Sequence, residues 1–252
     1  MTKPEDKIHP PLDIDELLIR RPRNKISNIG IELEGGWETI PKGSRPVPDA
    51  SVFKDPVTNT QKAPVGCGFV GEIPSHPLIP IEAPTWLRKY YPKVIDKTCG
   101  LHVHMSFPTF WHYDQLMVPQ YPPTVREYIR RWAKEEDLVE EHPLWERLSG
   151  KSEYCQFKFW PDEQFNAKRK DYDHFRKGCR YTDINYSGAH KTIECRLLPM
   201  MANPEQAVRV VRRLIDITNC VLFSVAKRDG AIEEIVSIDH SDLYSGASVE
   251  FV

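Results

Sequence analysis

Three short stretches of the chain alternate apolar and polar residues, and in each the polar residues carry chemistry. In Ile29-Gly30-Ile31-Glu32-Leu33-Glu34, a repeat of two puts Glu32 and Glu34 on one face of a strand. Ile31 and Leu33 fall on the other. Leu101-His102-Val103-His104-Met105 sets two imidazoles against three apolar side chains, and Thr192-Ile193-Glu194-Cys195-Arg196-Leu197 sets Glu194 and Arg196 against Ile193, Cys195 and Leu197. Each stretch is predicted to be a strand that buries one side. Two long helices are also predicted. Thr124 and Glu127 form a capping-box pattern, with Val125, Tyr128, Ile129 and Trp132 at helical spacing. Asn203-Pro204 reads as an N-cap followed by proline at the first helical position; Ala207, Val208, Val211, Leu214, Ile215 and Leu222 form its apolar stripe, and Gly230 is the stop. A short helix is predicted within Asp13 to Arg21. Residues 38–84 carry many of the 22 prolines, which excludes long helices and predicts short strands among irregular loops. Residues 149–178 mix aromatic and charged residues without a clear period. The organisation expected is an arm over residues 1–28 and a single domain of mixed α and β structure over 29–252.

Composition narrows the function classes. At 252 residues, 40% apolar and 28% charged, the chain has the balance of a soluble globular protein with a substantial core. A net charge of −2 implies no global attraction to nucleic acid or to an acidic membrane, and Lys168, Arg169 and Lys170 read as a solvated face. No run reaches the length of a membrane span, and Met1 to Pro11 has no apolar segment of the signal-peptide kind. The six cysteines include no Cys-x-x-Cys pair, which supports neither a zinc site nor a disulfide framework. A reduced, cytoplasmic setting is the simplest expectation.

The outer face of a half-exposed sheet is ordinarily polar, but usually with threonine, serine and lysine. These three strands carry almost only metal and phosphate ligands. Two carboxylates side by side on a strand repel each other unless something positive lies between them, as a divalent cation would. Carboxylates with one imidazole suit magnesium or manganese, whereas zinc prefers more histidine or cysteine. Such a site with an arginine nearby is the usual arrangement for a nucleoside triphosphate. The chain has no Gly-x-x-x-x-Gly-Lys-Ser/Thr loop, so phosphates would be held by cations and basic side chains. The Gly66 to Gly71 stretch matches a weak Gly-x-Gly-x-x-Gly pattern among prolines and reads as a loop before a strand. His76, His112, His142, His174 and His190 have no partner pattern.

Ile-Gly-Ile-Glu-Leu-Glu (29–34), Cys-Gly-Leu-His-Val-His (99–104) and Thr-Ile-Glu-Cys-Arg (192–196), in this order, resemble the signature strands of the amidoligase family of glutamine-synthetase-like carboxylate–amine ligases. Asp49-Ala50-Ser51, Gly71-Glu72-Ile73-x-Ser75 and Arg180-Tyr181-x-x-x-Asn185 resemble further blocks. Ala50 stands where glycine is usual and Cys195 where an aromatic is common, and nothing in residues 106–178 matches. The resemblance implies an α+β fold, a curved, mainly antiparallel sheet with helices on its convex face. It also implies ATP and Mg2+ or Mn2+ as cofactors. Glu34 and Glu72 would bind one cation; Glu32, His102 and Glu194 would bind the cation that bridges the ATP phosphates. His104 and Arg196 would contact phosphate oxygens, and Arg180 would neutralise the transferred phosphoryl group. The implied reaction activates a carboxylate as an acyl phosphate, which an amine attacks. Asp49 is the candidate to accept the amine's proton.

Two rival readings use the same residues. A metal-dependent hydrolase could activate water in the Glu/His pocket, although Arg196 would then have no obvious role. The other is a catalytically silent binding protein on this fold. The substrates expected are small-molecule or peptide carboxylates and amines, whose choice falls to the unmatched segment 106–178.

Overall fold

A computed structural model of the chain describes residues 10–19, 22, 24–55, 57–152, 155–157, 182–187 and 192–228. Among these, the predicted strands extend to β1 (Asn28–Trp37), β3 (Gly100–Ser106) and β5 (Thr192–Pro199), joined by β2 (Phe69–Pro74) and β4 (Ile184–Ser187). They form one sheet in the order β2-β1-β3-β5-β4, and every pair is antiparallel. The alternation has the expected result. Ile29, Ile31, Leu33, Leu101, Val103, Met105, Ile193, Cys195 and Leu197 are each at most 1% exposed. The fold is thus mixed α and β around an antiparallel sheet.

The helices are α1 (Ile14–Ile19), α2 (Ala83–Tyr90), α3 (Phe110–Gln115), α4 (Tyr121–Glu135), α5 (Pro143–Leu148) and α6 (Pro204–Arg228). Helix α6 packs against α1, α2, α3 and α4, while α5 packs against β5. The predicted stripe of α6 supplies buried Ala207, Val208, Val211, Leu214, Ile215 and Leu222. Asn203 caps it as expected: its Oδ1 accepts the Gln206 N–H at 2.9 Å, and Gln206 Oε1 accepts the Ala202 N–H at 3.2 Å. The helix is described to Arg228, and the stop expected at Gly230 lies outside the described residues. Asp13 caps α1 through 2.9 and 3.1 Å bonds from Asp15 and Glu16 N–H. That helix buries Ile14 and Leu17, so the described part of the arm is docked on α6. No described helix is long and apolar enough to cross a membrane.

One expected helix start is wrong. Helix α4 begins at Tyr121, with Pro122 and Pro123 in its first turn, where the missing N–H groups need no intrahelical partner. Thr124 lies inside the helix, fully buried. Its hydroxyl donates to Gln120 O at 2.6 Å and accepts the Leu12 N–H at 2.9 Å. It ties the arm to α4 instead of capping.

Two backbone irregularities shape the sheet face. Pairing between β3 and β5 shifts from Leu101–Leu198 to Val103–Cys195, so His102 faces both Arg196 and Leu197. This β-bulge buries Leu197 and Leu198 together. At the other edge, Val47 exchanges 2.8 and 2.9 Å backbone hydrogen bonds with Glu72 and lays the proline-rich segment along β2. Gly71 makes that approach possible. At its φ of 154°, a Cβ would lie 2.5 Å from Val47 O and 3.2 Å from Asp49 N.

Gly71→Ala is expected to push the Val47–Asp49 segment off β2, with a loss of roughly 1–3 kcal/mol. Urea unfolding measures the loss, and limited proteolysis between residues 38 and 68 should accelerate. Unchanged stability and cleavage would show that the segment does not depend on this contact.

Candidate functional site

The site is assembled by strand register. Antiparallel pairing sets Glu34 opposite Glu72, Glu32 opposite His102, His104 opposite Glu194, and Glu194 opposite Asn185. Five strands therefore deliver polar positions to one face. Their side chains converge as two three-residue groups, Glu32/His104/Glu194 and Glu34/Asp49/Glu72, within each of which the ligand atoms lie within 4.8 Å of one another.

His102 joins the groups. Its Nδ1 lies 3.2 Å from Glu32 Oε2 and its Nε2 lies 3.6 Å from Glu34 Oε1. The Nε2 of His104 lies 2.9 Å from Glu32 Oε1 and 3.9 Å from Glu194 Oε1. Glu194 is further held by Asn185 Nδ2, at 3.0 Å from Oε2, and by Arg196 Nη1, at 2.5 Å from Oε1. Glu34, His102 and Glu194 are buried at 4%, 2% and 7% exposure, while Glu32, His104 and Arg196 are partly open. The Nε of Arg196 is buried without a hydrogen-bond partner among the described residues.

Glycine is what lets the groups come this close. The Gly100 N–H donates to Glu34 Oε2 at 2.5 Å, and a Cβ on Gly100 would meet His102 Nε2 at 2.4 Å and Glu34 Oε2 at 2.9 Å. Any other residue there would separate Glu34 from His102. Asp49 arrives from the segment along β2. Its Oδ1 accepts the Ser51 N–H at 2.8 Å and the Ser51 hydroxyl at 2.7 Å, an arrangement that fixes the carboxylate.

The electrostatics are those of crowded carboxylates. Burial opposes ionisation of Glu32, but hydrogen bonds with His102 and His104, and their charge, hold it well below the usual carboxylate range. Glu194 is also lowered, by Arg196 and the two imidazoles, against its burial. Burial disfavours the charged form of His104, yet Glu32 and Glu194 raise its pKa overall. Glu72 has no such partner. Burial, then repulsion from Glu32, Glu34 and Asp49, pushes it up to about 8, only partly countered by Arg196.

These residues fit divalent cations that prefer oxygen. Ligands across a magnesium ion are separated by about 4.2 Å, twice the ~2.1 Å bond length, close to the spacing within each group. If the Nδ1–H of His102 is donated to Glu32, its Nε2 lone pair faces the Glu34 carboxylate. That acceptor-to-acceptor contact calls for a proton or a cation between them. In Glu72 a retained proton relieves the same excess of negative charge.

The structure brings together Glu32, Glu34, Glu72, His102, His104, Glu194, Arg196 and Asp49, as the sequence reading grouped them. It differs in arrangement. His104, not His102, completes the group with Glu32 and Glu194, because it stands directly opposite Glu194 whereas the bulge sets His102 against Arg196 and Leu197. Asp49 stands among the acidic ligands. Arg180 lies outside the described residues. The roles of the Gly100 N–H and of Asn185 were missed, although both residues sit in motifs noted in the sequence. No protein-family model matches this chain, and no curated protein or solved structure does either.

The raised pKa of Glu72 has a signed consequence. Its folded value exceeds the ordinary 4.5, so its contribution to stability is complete below 4.5 and is lost as pH rises through about 8. Glu72→Gln should therefore match the wild type near pH 5 and exceed it near pH 8.5. The gain expected for this half-buried group is on the order of 1 kcal/mol, or about 2–4 °C in Tm. Magnesium should stabilise the wild type more than the variant at the higher pH. Thermal melts at both pH values test this, and parallel curves would contradict it.

Proposed function

We propose that the protein is an ATP- and magnesium-dependent carboxylate–amine ligase of the amidoligase type, forming an amide through an acyl phosphate. The observation that supports this most is the pair of adjoining ligand groups on one sheet face, sharing β1 and linked by His102, with Arg196 beside one of them. Glu32, His104 and Glu194 would hold one magnesium and Glu34 and Glu72 the other, with the Nε2 of His102 beside the second and its Nδ1–H toward Glu32. When bound, magnesium supplies neutralisation of the triphosphate's charge. The curved sheet that the resemblance implies would wrap these groups around the substrates.

The chain's own groups account for the remaining requirements. Arg196 is anchored by Glu194 through Nη1, and its side chain stays partly open, so the guanidinium would offer its exposed part to a phosphate oxygen. A planar guanidinium so placed stabilises the equatorial oxygens of a transferring phosphoryl group. Arg180 keeps the neutralising role that the resemblance implies. An amine reacts only after losing its proton, and Asp49, half-buried beside Glu34 and Glu72, would receive it. Departure of phosphate from the acyl phosphate then completes the amide.

Phosphate release from ATP should require magnesium and a carboxylate, and hydroxylamine should trap the acyl phosphate as a hydroxamate. Turnover that proceeds equally well without nucleotide would sink the ligase and favour the metal-dependent hydrolase. Arg196→Lys should fold normally and lose at least about tenfold in kcat/KM, equivalent to roughly 1.4 kcal/mol of barrier. Full activity in that variant would remove Arg196 from the mechanism.

A further inference from the structure

Segment 106–178, which has no counterpart in the resemblance, carries an arginine that ends in the backbone of the site. Arg147, on α5, is 2% exposed. Its Nη1 donates to Arg196 O at 2.9 Å and to Leu198 O at 3.0 Å, and its Nη2 reaches Cys99 O at 3.4 Å. Among the described residues no carboxylate is ion-paired with it. An unpaired buried cation is expensive, costing several kcal/mol unless its donors are all engaged. Here a rigid fork of donors is matched to three carbonyls, which an ammonium could not reproduce.

The carbonyls it selects matter. Arg196 O and Leu198 O lie on either side of the β5 bulge, from which the Arg196 side chain departs toward Glu194. Cys99 O belongs to the same peptide unit as the Gly100 N–H. In a planar trans peptide the C=O and N–H point in opposite directions. Arg147 and the Met200 N–H, at 3.0 Å, together hold that oxygen from one side and so aim the N–H from the other, at Glu34. The opposite end of Arg196 is held as well: its N–H donates to Asp183 O at 2.8 Å, and Arg126, on α4, binds the Asp183 carboxylate at 2.5 Å.

We propose that Arg147 is a positioning residue. It fixes the β5 bulge and the Cys99–Gly100 peptide, and through them the placement of Arg196 and Glu34, without touching substrate. The inference deepens the proposed function and rests on it for its kinetic consequence.

Arg147→Lys keeps the charge but cannot span the three carbonyls. Tyr121→Phe serves as a control, because it removes a buried 2.8 Å hydrogen bond to Thr218 between α4 and α6, on the same side of the sheet as Cys195 and opposite the site's side chains. In the metal-free protein, hydrogen exchange of Arg147→Lys should speed up around residues 98–101 and 194–198 and stay unchanged along β2. Its affinity for Mn2+, read by electron paramagnetic resonance, should fall at least about tenfold, and kcat should fall more than the KM for ATP. Tyr121→Phe should lower Tm without either effect. Wild-type exchange and Mn2+ affinity in Arg147→Lys would overturn the proposal, as would the same losses in Tyr121→Phe. If the wild type neither binds Mn2+ nor releases phosphate, the ligase reading fails, and the exchange data alone still decide the role of Arg147. Should Arg147→Lys fail to fold, NMR of the arginine side chains of the wild type decides. A protected guanidinium assigned to Arg147 supports the proposal, and a freely exchanging Arg147 guanidinium overturns it.

Discussion

Repulsion between carboxylates is the constraint around which this molecule is built. Five of them, Glu32, Glu34, Asp49, Glu72 and Glu194, share one sheet face, and among the described residues Arg196 brings a guanidinium to them. A pair 4.8 Å apart repels by about 3 kcal/mol at an effective dielectric near 20. Nothing local favours such an assembly. It persists because the opposite face of the same strands is almost fully buried, so the polar positions cannot turn away without exposing that core. The two imidazoles, Arg196 and the proton retained by Glu72 each relieve a part of the strain.

Much of this was legible in the sequence, for a simple reason. A repeat of two is visible in a single strand, so the faces of β1, β3 and β5, and the identity of most site residues, follow from local pattern. Register is not visible in one strand. That His104 and not His102 stands opposite Glu194 follows from how β3 pairs with β5. The position of Asp49 depends on Gly71, which the sequence marks as the end of a loop and the start of an acidic strand but not as the point of contact with another segment. Gly100 was seen as part of a motif, but its use, an N–H for Glu34 and room for His102, is a property of packing. The early start of α4 was concealed by two prolines that a helix accepts only in its first turn.

The division of labour between elements is clear. Strands carry the chemical groups, and the helices determine how rigidly they are carried. Arg147 reaches from α5 to carbonyls of β5, Arg126 reaches from α4 to the carboxylate of Asp183, whose carbonyl accepts the Arg196 N–H, and Thr124 ties the arm to α4. The segment that resembles nothing in the family pattern is therefore not merely a loop between fixed strands. Its described part packs α5 against β5 and binds two of that strand's carbonyls through Arg147.

Strand β1 also works as a ruler. Glu32 belongs to one ligand group and Glu34 to the other, and two residues of extended chain advance by about 6.8 Å, a step set by bond lengths and not by packing. Mutations that lengthen, shorten or rebuild the surrounding loops leave that interval untouched. Lineages can thus vary what enters the site while inheriting its spacing unchanged, and a designer can graft new loops here without recalibrating the centre.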